Sequence, residues 1–195
     1  MNFKLLLKRS YERIKYPMLS NSFNIESHLT FTERTTLYRL AKNKNSVIEI
    51  GSFLGASATA FVPALAESGV LYAIDTWKND AMSEGIRDTK SDFIKNVGAH
   101  IQNIRMIQGY SSQMCEVLSN TIKSPVDILF IDGDHSFEGA LADWENYKQF
   151  LTTGSIVIFH DFGWAEGVKR VINDFVLNSV SEFNNLPNLW WGVLK

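Results

Sequence analysis

Short, nearly continuous apolar runs recur along the chain and alternate with stretches of helical periodicity. The runs are "SVIEI" (46–50), "VLYAID" (70–75), "IRMIQ" (104–108), "VDILFI" (126–131) and "SIVIFH" (155–160). They are short and rich in Val and Ile, which predicts strands rather than buried helices. A first helix is predicted where Thr30-Phe-Thr-Glu33 has capping-box spacing ahead of Leu37, Leu40 and Ala41. Further helices are predicted over Ser57–Glu67, Asp92–Val97, Ser111–Thr121, Phe137–Leu151 and Val168–Val176. The tail "EFNNLPNLWWGVLK" reads as two short strands around Pro187.

Strands that are apolar nearly throughout and alternate with helices belong to a parallel sheet covered on both faces. Right-handed crossovers then give an α/β domain, a three-layer, doubly wound, mostly parallel sheet of Rossmann-like type. The last two strands have no helix between them, so an antiparallel C-terminal edge is expected. This domain is expected to span residues 45–195, with residues 1–44 as an N-terminal helical cap.

Composition narrows the class without naming a chemistry. At 195 residues, 45% hydrophobic and 21% charged, the chain is an ordinary soluble globular protein. A net charge of −2 gives no general footprint for nucleic acid. The single cysteine, Cys115, excludes an intrachain disulfide and a Cys-based zinc site, and points to a cytoplasmic location. The N-terminus is basic and partly apolar, but its only continuous apolar run is Leu5-Leu6-Leu7, too short for an integral membrane segment. It could form an amphipathic helix laid over the domain or against a second subunit in a homodimer; membrane-surface contact is the weaker reading.

Ligands in doubly wound folds bind outside the carboxyl ends of the strands. Four of those ends are polar here: Glu49-Ile-Gly51, Asp75, Asp132/Asp134/His135 and His160-Asp161. In "EIGSFLGASA", Gly51 and Gly55 permit a sharp turn and close ligand approach at a helix start that offers free N–H groups. The spacing is Gly-x-x-x-Gly, because Phe53 takes the middle glycine's place in a dinucleotide fingerprint, and no P-loop Gly-Lys-Ser/Thr follows. Asp75 at the end of the second strand could accept from both ribose hydroxyls, Ser111 in "QGYSSQ" could read an adenine edge, and Trp77 could stack on the base. Trp77, Met82, Trp164 and the segment 76–90 could roof an acceptor pocket. The bland alternatives are a strand–helix connector at the glycines and a polar turn at Asp-Gly-Asp-His, with Asp134 or Ser136 capping a helix.

The stretch Glu49-Ile-Gly51-Ser-Phe-Leu-Gly55-Ala-Ser57 resembles the Glu-x-Gly-x-x-x-Gly-x-Ser motif of class I S-adenosylmethionine-dependent methyltransferases, in the small O-methyltransferase branch that includes the catechol type. "AIDTWKND", "FIDGDHSFEGALADW" and "GSIVIFHDF" are similar to a bacterial group of that branch, often tied to natural-product or surface-glycan methylation. The resemblance covers about residues 45–195. It implies that Gly51 and Gly55 pass beneath the methionine part of the cofactor and that Ser57 lies near its carboxylate. Glu49 would order the loop and reach the amino group, Asp75 would hold the ribose, and Ser111 would sit at the adenine, with Trp77 and Asp132 also on the cofactor.

The same resemblance places Asp132 and Asp161 on two metal-binding aspartates, with magnesium the implied ion. Phe162 stands where the family's metal-binding asparagine should be, which leaves Asp134 or substrate oxygens to complete a coordination shell. His135 occupies the place of a catalytic lysine and is the expected general base, with Asp132 and Asp161 orienting the acceptor. The expected activity is methyl transfer to a hydroxyl of a small molecule, a sugar or natural product. Two rivals stay open: an NAD(P)-dependent oxidoreductase, which would need a hydride-transfer pair such as Tyr-x-x-x-Lys, and a cofactor-binding module without catalysis.

Overall fold

The computed structural model describes residues 10–80 and 85–195. Seven strands form one sheet: β1 (Ser46–Ile50), β2 (Val70–Asp75), β3 (Ile104–Gln108), β4 (Ile128–Ile131), β5 (Ile156–His160), β6 (Val180–Asn185) and β7 (Leu189–Leu194). Their spatial order is β3-β2-β1-β4-β5-β7-β6. The first five run parallel, and β7 is antiparallel to both β5 and β6. The helices are α1 (residues 10–15), α2 (Phe31–Leu40), α3 (Ala58–Phe61), α4 (Lys90–Val97), α5 (Ser111–Thr121), α6 (Phe137–Tyr147) and α7 (Glu166–Val171). Among the described residues, no helix is long and apolar enough to cross a membrane.

Successive strand residues point to opposite faces, and the two cores follow that alternation. Val47, Phe130 and Ile158 face a core closed by Leu37 of α2, Phe61 of α3 and Phe93 of α4. Ile48, Leu129 and Val157 face a second core closed by Leu118 of α5, Trp144 of α6 and Val168 of α7. These are the three layers expected from strands that are apolar on both faces.

The helix predicted over Ser57–Glu67 is cut short. It spans only Ala58–Phe61 and tightens to a 3₁₀ turn at Val62–Ala64. Pro63 lacks an N–H and its ring collides with the carbonyl four residues back, which ends the α-helical ladder. At the other end of the chain, α7 continues as a wide π turn over Ile172–Val176.

The segment before β1 shares the first core. Leu19, Phe23, Leu29, Leu37 and Ala41 are buried among Val47, Leu71 and Phe130. One side chain ties three points of its backbone: the buried Arg34 guanidinium donates to the carbonyls of Leu29 at 3.1 Å, Ile25 at 3.2 Å and Ser22. Burial pulls the Arg34 pKa down to about 10, against the favourable charge of Glu33. The segment so fixed places Ser27, His28 and Leu29 along one wall of the main cavity.

Candidate active site

At the end of β1 the chain turns through Gly51 (φ 85°), Phe53 (φ 45°) and Gly55 (φ 86°). A Cβ on Gly51 would lie 2.0 Å from the Asp132 carbonyl oxygen, so the loop crosses the end of β4 only because position 51 has no side chain. Asp75, last in β2, staples that loop. Its Oδ2 accepts from the amides of Ser52 at 2.7 Å and Phe53 at 2.8 Å, and its Oδ1 accepts from the Trp77 amide at 2.6 Å.

Beneath the loop, Glu49 is fully buried and takes the Ser52 hydroxyl on Oε2 at 2.6 Å. Its Oε1 has no hydrogen-bond partner. Burial raises the Glu49 pKa to about 7; the Ser52 and Ser57 hydroxyls pull it back, while Asp132 and Asp75 push it further up.

These elements border a cavity of about 680 Å³, which lies along the carboxyl ends of β1, β2, β4 and β5. It straddles the β1/β4 neighbours, where the strand order reverses and ligands of such sheets bind. On its far wall the Ser111 hydroxyl donates to Asp143 Oδ1 at 2.5 Å. Burial lifts the Asp143 pKa to about 6, opposed by that Ser111 bond.

The other end of the cavity holds the titratable cluster. His135 Nε2 lies 2.7 Å from Asp161 Oδ2. His160 Nδ1 lies 3.0 Å from Asp132 Oδ1 and 3.1 Å from Asp161 Oδ2. Asp161 Oδ1 accepts from Trp164 Nε1 at 2.7 Å and from Asn188 Nδ2 at 3.0 Å. Behind His160 stands Glu33, with Oε2 at 3.9 Å from Nε2. The Trp164 ring meets the His135 ring edge-on at 5.2 Å. Phe53, Trp77, Asn79 and Asp161 are non-glycine residues held at positive φ along this edge of the sheet, where stored backbone strain accompanies ligand sites.

The charges follow from these contacts. The Asp161 bond raises the His135 pKa above its ordinary value, against the opposing effect of burial. Burial works against charge on His160, but Asp132, Asp161 and Glu33 outweigh it and push its pKa up to about 12. Asp161 is held far below the usual carboxylate range: burial opposes this, and His135, His160 and Asn188 overcome it. Burial raises Asp132, although His160 pulls it down.

A family profile described as a methyltransferase domain matches residues 48–162, more than half of the chain. The chain belongs to this methyltransferase family. Solved structures share its fold. An O-methyltransferase from Bacillus cereus in complex with SAH superposes with a TM-score of 0.69 at 14% identity, covering 100% of this chain and 92% of that one. CalS11, a TDP-rhamnose 3'-O-methyltransferase of calicheamicin biosynthesis, gives a TM-score of 0.65 at 16% identity, covering 83% and 77%. The uncharacterized protein R132 of Acanthamoeba polyphaga mimivirus is 24% identical over 174 residues, covering 86% of this chain and 75% of that protein. The fold is thus that of class I S-adenosylmethionine-dependent O-methyltransferases.

The methyltransferase cleft fits its cofactor. The glycine-bent loop, the Asp75 carboxylate and Ser111 line one continuous cavity, and Gly51 and Ser57 line it as well. Trp77 does not join them. Its indole is 1% exposed, packs on Phe93 at 5.3 Å and lies in the core, because the positive φ of Trp77 turns the side chain inward. Met82 lies outside the described residues.

A divalent cation fits less well. Asp132, His135 and Asp161 each offer a ligand atom, and these atoms lie within 4.8 Å of one another. Asp134 is not brought into that group: its Oδ1 accepts the Ser136 amide at 2.8 Å, beside the Ser136 hydroxyl that caps α6. That is the turn-and-cap role open to an aspartate before a helix. Asp161 is crowded as well: its Oδ1 accepts from Trp164 and Asn188, and its Oδ2 faces His135 at 2.7 Å and His160 at 3.1 Å.

Two members of the cluster escape the sequence motifs. Glu33 reads only as a capping-box residue, and it does fill that role, accepting the Thr30 amide at 2.6 Å. Asn188 is brought in by the antiparallel register that sets His160 opposite Leu189. The "NLPN" turn gives no local sign of that contact.

Proposed function

We propose that this methyltransferase moves the methyl group of S-adenosylmethionine to a hydroxyl of a small molecule, with His135 as the general base. One observation carries the reading: the glycine-bent loop stapled by Asp75 and the His135–Asp161 pair line a single cavity. The bound cofactor supplies an activated methyl on a sulfonium. Transfer of that methyl to an acceptor oxygen would leave the carbon–sulfur electron pair on sulfur. The acceptor must lose its hydroxyl proton.

His135 is built to take it. With Asp161 on Nε2, the imidazole carries its proton there and keeps Nδ1 as the acceptor nitrogen. Asp161 orients the ring and stabilises the imidazolium that results, while Trp164, bonded to Asp161, meets the ring edge-on. At the cofactor end, Gly51, Gly55 and Ser57 would accommodate the methionine portion. Glu49 would order the loop from beneath, Asp75 would face the ribose, and Ser111, braced by Asp143, would sit at the adenine. Because the residues fit a cation poorly, no step is assigned to one.

The acceptor class is supported by one structural neighbour and by the residues that line the cavity. CalS11 acts on a nucleotide-linked sugar. The cavity is lined by His28, Phe53 and Trp164, with Trp164 beside His135, an aromatic and imidazole lining suited to the face of a sugar or a phenolic ring. The test is label transfer from S-adenosylmethionine to a panel of nucleotide sugars and phenols. Label should reach a hydroxyl, and His135→Ala should slow transfer by about 10²- to 10⁴-fold while leaving S-adenosylhomocysteine binding intact. Binding of NADH without binding of S-adenosylhomocysteine would instead favour the oxidoreductase.

A further inference from the structure

We infer that the imidazole of His160 takes the place between Asp132 and Asp161 that a divalent cation would need, so that the methyl transfer proposed above is cation-independent. His160 is on this account the positioning residue for the His135–Asp161 pair.

The geometry carries this by counting donors and acceptors. His160 Nδ1 stands at hydrogen-bond distance from one oxygen of each aspartate, 3.0 Å from Asp132 and 3.1 Å from Asp161. It bridges the two carboxylates that a cation would have to bridge. The other oxygen of Asp161 is occupied by Trp164 and Asn188. A cation on that oxygen would strip an N–H donor from its partner in a buried setting, where an unmade hydrogen bond is costly, and one on Oδ2 would have to displace an imidazole.

His160 has nowhere to retreat. Its side chain is 1% exposed, with Glu33 Oε2 at 3.9 Å and Asn188 Nδ2 at 3.3 Å on its far side. The residue sits at the end of β5 by register, opposite Leu189, so its place is fixed by the sheet rather than by a loop. Asp161, which follows at φ 59°, is turned by that backbone toward both imidazoles. His160 thus sets the one carboxylate that orients the base.

The experiment uses the full chain after dialysis against a chelator, with Mn2+ as the probe, read by calorimetry, paramagnetic resonance and melting temperature. The wild type should take up no Mn2+ at this site and should melt within about a degree of its metal-free value. His160→Asp places a third carboxylate beside Asp132 and Asp161. That variant should bind one Mn2+ and melt several degrees higher with it than without. Stoichiometric Mn2+ uptake by the wild type, abolished by Asp132→Asn, would overturn the inference. So would a folded His160→Asp protein that ignores Mn2+. Where that variant does not fold, the wild-type titration decides alone. S-adenosylhomocysteine binding, measured on the same samples, reports separately on the methyl-transfer reading: its loss would defeat that reading whatever Mn2+ does.

Discussion

Asp161 meets four polar side chains drawn from three parts of the chain, two imidazoles on one oxygen and two N–H donors on the other, and the chemistry of the site turns on it. His135→Ala should lower kcat by about 10²- to 10⁴-fold, the usual worth of a positioned base, with little change in S-adenosylhomocysteine affinity. Single-turnover and binding measurements together separate these effects. The pH dependence follows from the raised pKa of His135. A base works deprotonated, so the rate should climb as pH rises through a value above 6.5. Asp161→Asn removes the main cause of the elevation and should move that limb to lower pH while reducing the plateau. A limb that stays in place in Asp161→Asn would show that another group is titrating. The aspartates and His135 were legible because they cluster at strand ends in "IDGDH" and "FHD". Glu33 and Asn188 were not, because only tertiary register brings them to His160.

Among the elements, the turn after β1 and the segment before it behave differently from their periodicity. Gly51→Ala would set a Cβ 2.0 Å from a backbone oxygen at a φ of 85°, two penalties with no flexible neighbour to yield. It should abolish cofactor binding and lower the melting temperature markedly. Gly55→Ala meets side chains of Val97 and Phe93 at 3.0–3.1 Å and should be milder. Arg34→Met leaves the buried carbonyls of Leu29 and Ile25 without a donor, at a cost of about 1–3 kcal/mol each before any relaxation, while Ser22 keeps the Ile25 amide. Chemical denaturation should register it as a large loss. The strand spans were readable to within a residue or two, since apolar runs bounded by Gly and Asp mark parallel strands well. The length of α3 was not read correctly, because the apolar spacing runs on past Pro63 while the hydrogen-bond ladder cannot.

At the scale of the whole molecule, the three layers and the antiparallel edge follow from the alternation of apolar strands with helices, and that pattern was open to inspection. The burial of residues 19–41 in the first core was not, since their composition carries no signal for packing against a sheet. Leu19, Phe23, Leu29 and Leu37 are all buried in the core that holds β1, β2 and β4. A chain starting at residue 45 should therefore lose solubility and cooperative melting. The cavity itself depends on this assembly, for its walls come from both sides of the sheet and from the 22–29 segment. Calorimetric titration of S-adenosylhomocysteine into the wild type and into Asp75→Ala tests the central claim most directly. The account predicts one binding site in the wild type and about a ten- to hundred-fold loss of affinity in the variant, the scale expected for removing a charge-assisted contact. Absence of binding to the wild type, or equal affinity in the two proteins, would contradict it.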